Sequence, residues 1–316
     1  MKNILYIVIP AYNEEELISE SIHLVNEKMS SLMKKKKISR DSKIVVVDDG
    51  SKDNTLSILK NIKLDNLIII KLSRNCGHQN AMYAGLMFAK NEADMVISMD
   101  ADLQDDINII DKMIDDYYDG NEIVYGVRDN RDSDTFLKRT SALLFYKFMK
   151  VLGVEIIVNH ADYRLMSKKS LEALEKYGES NLFLRGIIPQ LGFKTSKVYY
   201  KRLERKAGVS KYNFRKMISL ALNGITSFSV QPIRMIICVG FILSLLSILY
   251  LIYVIVGYFT GSDYVSGWAS TIALICCFGS FQILCIGIIG EYVSKIYLET
   301  KRRPKYIIEE IIKCNK

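Results

Sequence analysis

The chain has 316 residues, of which 49% are hydrophobic and 25% are charged, and its formal net charge is +8. This composition excludes an intrinsically disordered chain, and the length allows one large domain or two smaller ones. The positive charge favours an anionic partner, namely nucleic acid, membrane phospholipid or a phosphorylated substrate. The six cysteines form no C-x-x-C pair. We therefore expect neither a zinc site nor a disulfide framework, but reduced thiols in a cytosol-facing protein.

The first predicted element is a buried strand, ILYIVIP, at residues 4–10. A secretory signal peptide needs a longer apolar core than this segment offers, followed by a small-residue cleavage site. We interpret the segment as the first strand of the fold rather than as a leader.

Strand and helix patterns alternate over the first 130 residues. The apolar strand patterns are LYIVIP, KIVVVDD, LIIIKLS, MVISMD and EIVYGVR. The helical patterns between them are EEELISESIHLVNEKMSSLM, DNTLSILKNI, GHQNAMYAGLMFAK and INIIDKMIDDYYDG. Continuous apolar strands with helical crossovers predict an α/β fold with a Rossmann-like, mostly parallel sheet covered on both sides.

Each of the first four predicted strands ends in a polar stretch. These stretches are PAYNEE at 10–15, DDGSKD at 48–53, SRNCGHQNA at 73–81 and DADLQDD at 100–106. Ligands of such sheets bind beyond the carboxyl ends of the strands, so four polar ends predict one nucleotide and metal site. No G-x-G-x-x-G follows the first strand and no P-loop motif is present, so neither dinucleotide binding nor a P-loop phosphate site is supported.

The stretch DADLQDD holds four carboxylates in seven residues. Like charges this close raise one another's pKa unless a cation lies among them. One interpretation is a solvated acidic turn, and the other is a divalent metal site. Asp100 and Asp102 lie on the same side of an extended segment, and carboxylate and amide oxygens suit Mg²⁺ or Mn²⁺.

Two uncharged runs, Met235–Ser262 and Tyr264–Gly290, follow the α/β region. Each is longer than the roughly 20 residues that cross a bilayer, which favours a transmembrane hairpin over a buried core helix. Basic residues flank both ends of the hairpin, whereas the connecting loop has no Lys or Arg. By the positive-inside rule we expect both ends to be cytoplasmic, with the large N-terminal part and both termini on the inner face of a cell membrane.

The segment SKYNFRKMISLALNGITSF, just before the first run, has helical apolar spacing and basic residues near its start. It fits an interfacial helix with Ser210 as N-cap, or alternatively an amphipathic core helix. NLFLRGIIPQLGF, at 181–193, is interpreted as a second interfacial element. The predicted organisation is a catalytic domain at 1–205, a juxtamembrane amphipathic segment at 206–232, two transmembrane helices within 233–292 (about 235–259 and 267–290), and a cytosolic basic tail at 293–316.

Four motifs, VIPAYNEE, VVDDGSKD, RNCGHQNA and DADLQDD, in this order and spacing, resemble glycosyltransferase family 2, which has the GT-A fold. YGVRDNR, HADYRLM and RKAGVSKY, followed by two spans, are similar to the polyprenyl-phosphate glycosyltransferases, which include bactoprenol glucosyltransferases and dolichol-phosphate mannose synthases. The chain lacks the Q-x-x-R-W motif of processive members, so a polymerising role is not favoured.

The resemblance implies inverting transfer of a sugar to undecaprenyl phosphate or another polyprenyl phosphate at the cytoplasmic face of the membrane. Glucose from UDP-glucose is the first interpretation, and mannose or an aminosugar is the alternative. A further alternative is an inactive membrane scaffold that partners a flippase, but the intact acids and arginines disfavour it. A nucleic-acid partner explains the charge but neither the spans nor the acidic crevice, so none is expected. Small residues in the second span make a homo-oligomer conceivable.

The resemblance also implies site residues. The implied catalytic residues are Asp100, Asp102 and Asp162. The implied metal ligands for Mg²⁺ or Mn²⁺ are Asp102 and Gln104, with Asp100 on the ribose or metal side. The base and ribose would be held by Pro10, Tyr12, Glu14 and Asp48 or Asp49, with His78 near the nucleotide. Arg202, Arg205, Ser210 and Lys211 would close over the donor diphosphate. The lipid phosphate would be held by Arg128 and Arg131, with Lys138 or Arg139.

The role of Asp162 stays open in this interpretation. A phosphate monoester has its second pKa near 6, so a lipid phosphate is largely ionised at neutral pH and needs no strong general base. Asp162 would then position the sugar or the acceptor rather than remove a proton.

Overall fold

The computed structural model describes residues 2–129, 160–179, 182–201, 231–259 and 267–314. The described chain forms two compact units. The first contains the described residues up to 201 together with those from 303 onwards, and the second contains the described residues from 231 to 302.

The first unit is built on one eight-stranded sheet with the strand order β7-β5-β6-β4-β1-β2-β3-β8. The strands are β1 Leu5–Ala11, β2 Lys43–Asp48, β3 Leu67–Leu72, β4 Met95–Ser98, β5 Ile123–Arg128, β6 His160–Ser167, β7 Thr195–Tyr200 and β8 Ile308–Lys313. Strand β1 pairs in parallel with β2 and β4, β2 with β3, and β5 with β7. Strands β6 and β8 pair antiparallel with their neighbours. The central strands are buried along their whole length, as their near-continuous Val, Ile and Leu content requires.

Helices cover both faces of this sheet. They are α1 Ile18–Lys34, α2 Thr55–Asn61, α3 His78–Ala89, α4 Ile110–Tyr118 after a short 3-10 turn at Ile107–Ile109, α5 Lys168–Glu175 and α6 Leu184–Gln190. Residues Ile18, Ile22, Val25, Met29 and Leu32 recur every three or four positions and form the buried face of α1. An ion pair between Lys28 and Asp111 joins α1 to α4.

Helix α3 packs unusually close to the sheet, because Gly85 faces it. A side chain on Gly85 would collide with Val8 of β1 and Val47 of β2. This close approach fixes the first turn of α3, where His78 and Gln79 lie, against the carboxyl ends of the strands.

The five strands and four helices predicted within the first 130 residues are all present. The interpretation of 181–193 as an interfacial element was wrong for α6. Leu184, Ile187 and Ile188 are buried within the first unit, so the apolar face of this helix packs into the protein core.

The C-terminal residues were predicted as a basic tail, but part of them belongs to the sheet. Ile308–Lys313 forms β8, which pairs antiparallel with β3 and covers an edge that would otherwise be open. Ile312 and Cys314 pack against the hydrophobic core.

The second unit contains the helices α7 Gln231–Phe259 and α8 Trp268–Thr300, which contact each other. Both are long and apolar enough to cross a membrane, and their most apolar windows are not buried by protein. The prediction of two apolar helices is confirmed. Helix α8 runs ten residues beyond the predicted end at 290. The predicted amphipathic segment at 206–232 lies outside the described residues except for its last two positions.

Candidate active site

The polar ends of β1, β2, β3 and β4 lie at one edge of the sheet, because these four strands are parallel. Direct contacts link them. The backbone N–H of Asp49 donates to the carbonyl of Ala11 at 2.9 Å, and Nε2 of His78 lies 3.4 Å from Oδ1 of Asp100. The four stretches that the sequence singled out therefore line one crevice.

The loop after β1 is held rigidly by the loop after β2. The backbone N–H of Asn13 donates to Oγ of Ser51 at 3.1 Å, and that of Glu14 donates to Oγ1 of Thr55 at 2.9 Å. Asn13 has a φ of 53°, in the left-handed region that few residues adopt without such support. Two predicted nucleotide-binding residues, Tyr12 and Glu14, flank this residue.

The two adjacent acids after β2 have different surroundings. Asp49 accepts the backbone N–H groups of Cys76 at 2.7 Å and Gly77 at 2.9 Å, so it anchors the loop between β3 and α3. Asp48 accepts a 3.4 Å bond from the Ser51 N–H through Oδ2, while its buried Oδ1 has no hydrogen-bond partner among the described residues. Burial raises the pKa of both carboxyl groups. Of the two, Asp48 has an oxygen left for a ligand.

The stretch DADLQDD forms a tight turn after β4. Oδ1 of Asp100 is buried and makes no hydrogen bond within the part of the chain that the structure describes. Burial raises the pKa of Asp100 to about 6, although the neighbouring His78 opposes this shift. Oδ1 of Asp102 accepts the backbone N–H of Gln104 at 3.2 Å, and Leu103 between them has a φ of 56°. The segment is therefore a turn rather than the extended segment predicted, and Asp102 and Gln104 lie on either side of a left-handed residue.

Asp162 on β6 lies at the centre of a charged cluster that comprises Asp162, Arg164, Arg185, Gln79 and His78. Arg164 donates to Oδ1, and Arg185 donates to Oδ1 at 3.2 Å and to Oδ2 at 3.0 Å. Gln79 donates to Oδ2 at 3.3 Å, and Nε2 of His78 lies 3.5 Å from the same oxygen. Burial alone would raise the pKa of Asp162, but the His78 contact and the two guanidinium groups hold it well below its ordinary value.

The Asp162 cluster was only partly predicted from the sequence. Asp162 and His78 were named, whereas Arg164, Arg185 and Gln79 were not assigned roles. Gln79 lies in the singled-out stretch SRNCGHQNA, and its Oε1 also accepts the backbone N–H of Leu184 at 3.2 Å. Arg185 lies on α6, which had been interpreted as interfacial. An Arg next to a Gly in an otherwise apolar helix was the signal that could have identified it.

Arg128, predicted to hold a lipid phosphate, is bound to a buried acid. Its Nη2 donates to Oδ1 of Asp105 at 3.2 Å and its Nε donates to the Tyr200 hydroxyl at 3.2 Å. Tyr200 donates to the same Asp105 oxygen. Only 26% of the Arg128 side chain is exposed. Seven predicted phosphate-side residues lie outside the described residues: Arg131, Lys138, Arg139, Arg202, Arg205, Ser210 and Lys211.

No group of three or more His, Cys, Asp or Glu residues in the described ranges is arranged to hold a metal ion by itself.

The chain matches two protein-family models. The model for glycosyl transferase family 2 matches residues 6–175, and the model for the GtrB C-terminal hairpin matches residues 231–296.

Similar proteins cover nearly the whole chain. An uncharacterized glycosyltransferase of Bacillus subtilis, YkoT, is 51% identical over 97% of this chain and 91% of its own length. The bactoprenol glucosyl transferase of Shigella phage SfV is 39% identical over 96% of this chain and 97% of its own length. Among solved structures, a mannosyltransferase from Pyrobaculum calidifontis in complex with GDP-Man and Mn²⁺ covers 94% of this chain and 85% of its own, with a TM-score of 0.48 and 18% identity.

Proposed function

Because the chain belongs to glycosyltransferase family 2 and is thus a glycosyltransferase, we propose that it transfers glucose from UDP-glucose to undecaprenyl phosphate. The relative from phage SfV, similar over both the catalytic region and the hairpin, is named a bactoprenol glucosyl transferase. Its name supports a polyprenyl phosphate as acceptor and glucose as the sugar.

The observation that carries this proposal is the continuity between the acidic crevice and the two apolar helices. The sheet that bears Asp48, Asp100 and Asp102 includes β8, which follows α8 in the chain. A chain that leaves this sheet, passes through two membrane spans and returns to the same sheet must re-emerge on the side from which it entered. The arrangement supports a water-soluble donor site tethered to a membrane that holds a lipid acceptor.

The proposed location is the cytoplasmic face of a cell membrane. The basic residues beside the hairpin and the uncharged loop support this orientation. A flippase that moves the product and a second copy of the chain are proposed partners, and nucleic acid is not.

The acids after β4 fit a divalent metal ion. The buried Oδ1 of Asp100 has no hydrogen-bond partner among the described residues, and oxygen donors suit hard cations. Asp102 and Gln104 would hold Mg²⁺ or Mn²⁺, with Asp100 beside them. Such an ion supplies positive charge against the negative charge that develops on the leaving diphosphate.

The proposed reaction needs no general base. An oxygen of the ionised lipid phosphate attacks the anomeric carbon, and the bond from that carbon to the nucleotide diphosphate breaks. The electron pair leaves with the nucleoside diphosphate, and an α-linked donor gives a β-linked lipid-phosphate sugar.

Asp162 fits this scheme as a positioning residue. Both of its oxygens already accept hydrogen bonds, and it is buried. We propose that it orients Arg185, whose side chain is 35% exposed, towards the phosphates in the crevice. Arg128 and Arg131, with Lys138 or Arg139, are proposed on the lipid phosphate, and Arg202, Arg205, Ser210 and Lys211 on the donor diphosphate.

The test uses the purified full-length protein in detergent with undecaprenyl phosphate, Mg²⁺ or Mn²⁺ and a panel of sugar nucleotides, with the lipid product read by mass spectrometry. We expect one hexose to be added from UDP-glucose, with loss of product in Asp102→Asn and after chelation of the metal. NMR of the product should show a β linkage.

The alternatives give different results in the same assay. Product from another donor only would replace glucose with that sugar. No product from any donor, by a protein that is folded by its melting curve, would overturn the proposed activity and favour the scaffold.

A further inference from the structure

The loop Ser73–Gly77, which joins β3 to α3, lies beside the crevice and leads directly into His78. One side of it is held by Asp49, whose two carboxylate oxygens accept the backbone N–H groups of Cys76 and Gly77. The position of this loop sets where α3 starts, and hence where His78 meets Asp100.

The other side of the loop is held by the C-terminal segment. The carbonyl of Ile307 accepts the backbone N–H of Ser73 at 3.0 Å. The Ile307 side chain is 54% exposed, so this residue acts on the loop through its backbone rather than through packing.

Ile307 is itself held in place by its neighbours in the chain. Lys305 places its Nζ 4.7 Å from the ring centroid of Tyr83 on α3, and Tyr306 meets the same ring edge-on with centroids 6.3 Å apart. On the other side, β8 pairs along β3, with an ion pair of 2.6 Å between Lys71 and Glu309.

The segment that contacts the loop comes directly after the apolar hairpin. Helix α8 ends at Thr300, and Ile307 follows only seven positions later. The loop beside the crevice is therefore held by a segment that lies beyond both apolar helices in sequence.

We propose that Ile307 is a positioning residue for the nucleotide side of the site, and that the C-terminal segment Lys305–Lys313 completes this subsite. The loop Ser73–Gly77 is then clamped between the Asp49 carboxylate and the Ile307 backbone. The part of this inference that concerns the nucleotide rests on the proposed function, whereas the clamp on the loop stands on the contacts alone.

The experiment compares Ser73→Pro with Ser73→Ala in the full chain. Proline removes the backbone N–H that donates to the Ile307 carbonyl, whereas alanine keeps this N–H and changes only an exposed side chain. A third variant, Glu310→Gln on β8, removes an exposed ion pair with Lys60 of α2 and controls for effects on β8 itself.

The first readout is the alkylation rate of Cys76, followed by mass spectrometry of its peptide. Loss of the hydrogen bond between Ser73 and Ile307 should let the loop open more often and raise this rate about fivefold in Ser73→Pro. The rate should stay unchanged in Ser73→Ala and Glu310→Gln, and the melting temperature should be similar in all three variants. If Ser73→Pro lowers the melting temperature, the pair Tyr306→Ala and Tyr306→Phe replaces it, because phenylalanine retains the ring contact with Tyr83.

The second readout is the affinity for UDP and the KM for the sugar nucleotide. In Ser73→Pro the affinity for UDP should fall about fivefold and the KM for the sugar nucleotide should rise about fivefold, while the KM for the lipid acceptor stays constant. Equal Cys76 rates in the proline and alanine variants would overturn the clamp. If the wild-type protein binds UDP and Ser73→Pro binds it equally well, the positioning role of Ile307 is wrong while the proposed function stands. If the wild-type protein binds no sugar nucleotide, it is the proposed function that fails.

Discussion

The substitution Asp162→Asn separates a structural role of this acid from a role as a proton acceptor. Asparagine keeps the shape of the side chain and one acceptor oxygen, but it removes the negative charge that faces Arg164 and Arg185. The Arg164 side chain is only 1% exposed, and its Nη1 already has no hydrogen-bond partner among the described residues. The substitution therefore leaves a buried guanidinium charge without its counter-ion.

The size of the effect follows from burial. Removing one partner of a buried ion pair costs about 3–5 kcal/mol in the free energy of unfolding. The pair with Arg185 adds less, up to about 1 kcal/mol, because that side chain is partly exposed. A domain of this size loses about 2–4 °C in melting temperature per kcal/mol, so we expect Asp162→Asn to lower it by about 6–24 °C.

The assay is thermal unfolding of the full-length protein in detergent, paired with the transfer rate at a temperature where every variant is folded. The matched control is the double variant Asp162→Asn/Arg164→Met, which removes the buried charge as well and should recover most of the melting temperature. If Asp162→Asn melts within about 2 °C of the wild type, the buried ion pair does not stabilise the fold and the reasoning is refuted.

Three further predictions concern the supports of the site. Gly50 has a φ of 66°, and a Cβ there would lie 2.8 Å from the backbone of the loop after β3. Gly50→Ala should therefore destabilise the protein by about 1–3 kcal/mol and weaken UDP binding. The control Gly178→Ala should change neither stability nor UDP binding, because there is open space around Gly178. Burial opposes ionisation of Asp111, but its hydrogen bond with Lys28 of α1 lowers the pKa of this carboxyl below its ordinary value. The stability that the ionised Asp111 contributes is therefore complete above the unfolded pKa of about 3.9 and is lost as the pH falls through the folded pKa. Asp111→Asn should therefore cost about 1 kcal/mol at pH 7 and flatten the fall in melting temperature below pH 4; an unchanged acid limb would contradict this. Arg128→Met should lower the melting temperature because it leaves the buried Asp105 carboxylate without its ion-pair partner. The double variant Arg128→Met/Asp105→Leu should restore the melting temperature. If Arg128→Met is as stable as the wild type and has lost only lipid affinity, Arg128 acts on the phosphate alone.

Much of the fold could be predicted from the sequence because its signals are local. The strands β1 to β5 are short apolar runs between helices of regular period, and a parallel sheet buries such runs on both faces. The acids of DADLQDD could be assigned to a site because they directly follow a buried strand. The two apolar helices were predicted from length and composition, which are all that a bilayer requires.

The contacts that complete the site depend on pairings between distant residues, which no local pattern encodes. Strand β6 contains the charged residues Asp162 and Arg164, so its sequence does not show the apolar pattern of a buried strand. The strand can be buried because these two residues form an ion pair with each other. Its antiparallel insertion between β4 and β5 is what brings Asp162 near Asp100 and His78.

The C-terminal segment follows the same rule. The composition of this segment gives no indication that it pairs with β3, which lies more than 230 positions earlier in the sequence. Without β8, that edge of β3 would be open. The sequence alone therefore determined the elements, the acidic strand ends and the membrane character of the hairpin, since each depends on neighbouring residues. Only the tertiary structure decided that Asp49 anchors a loop and that Asp162 is paired with arginines. It also decided that Asp48 keeps an oxygen without a hydrogen-bond partner among the described residues, because burial and partners are properties of the folded chain.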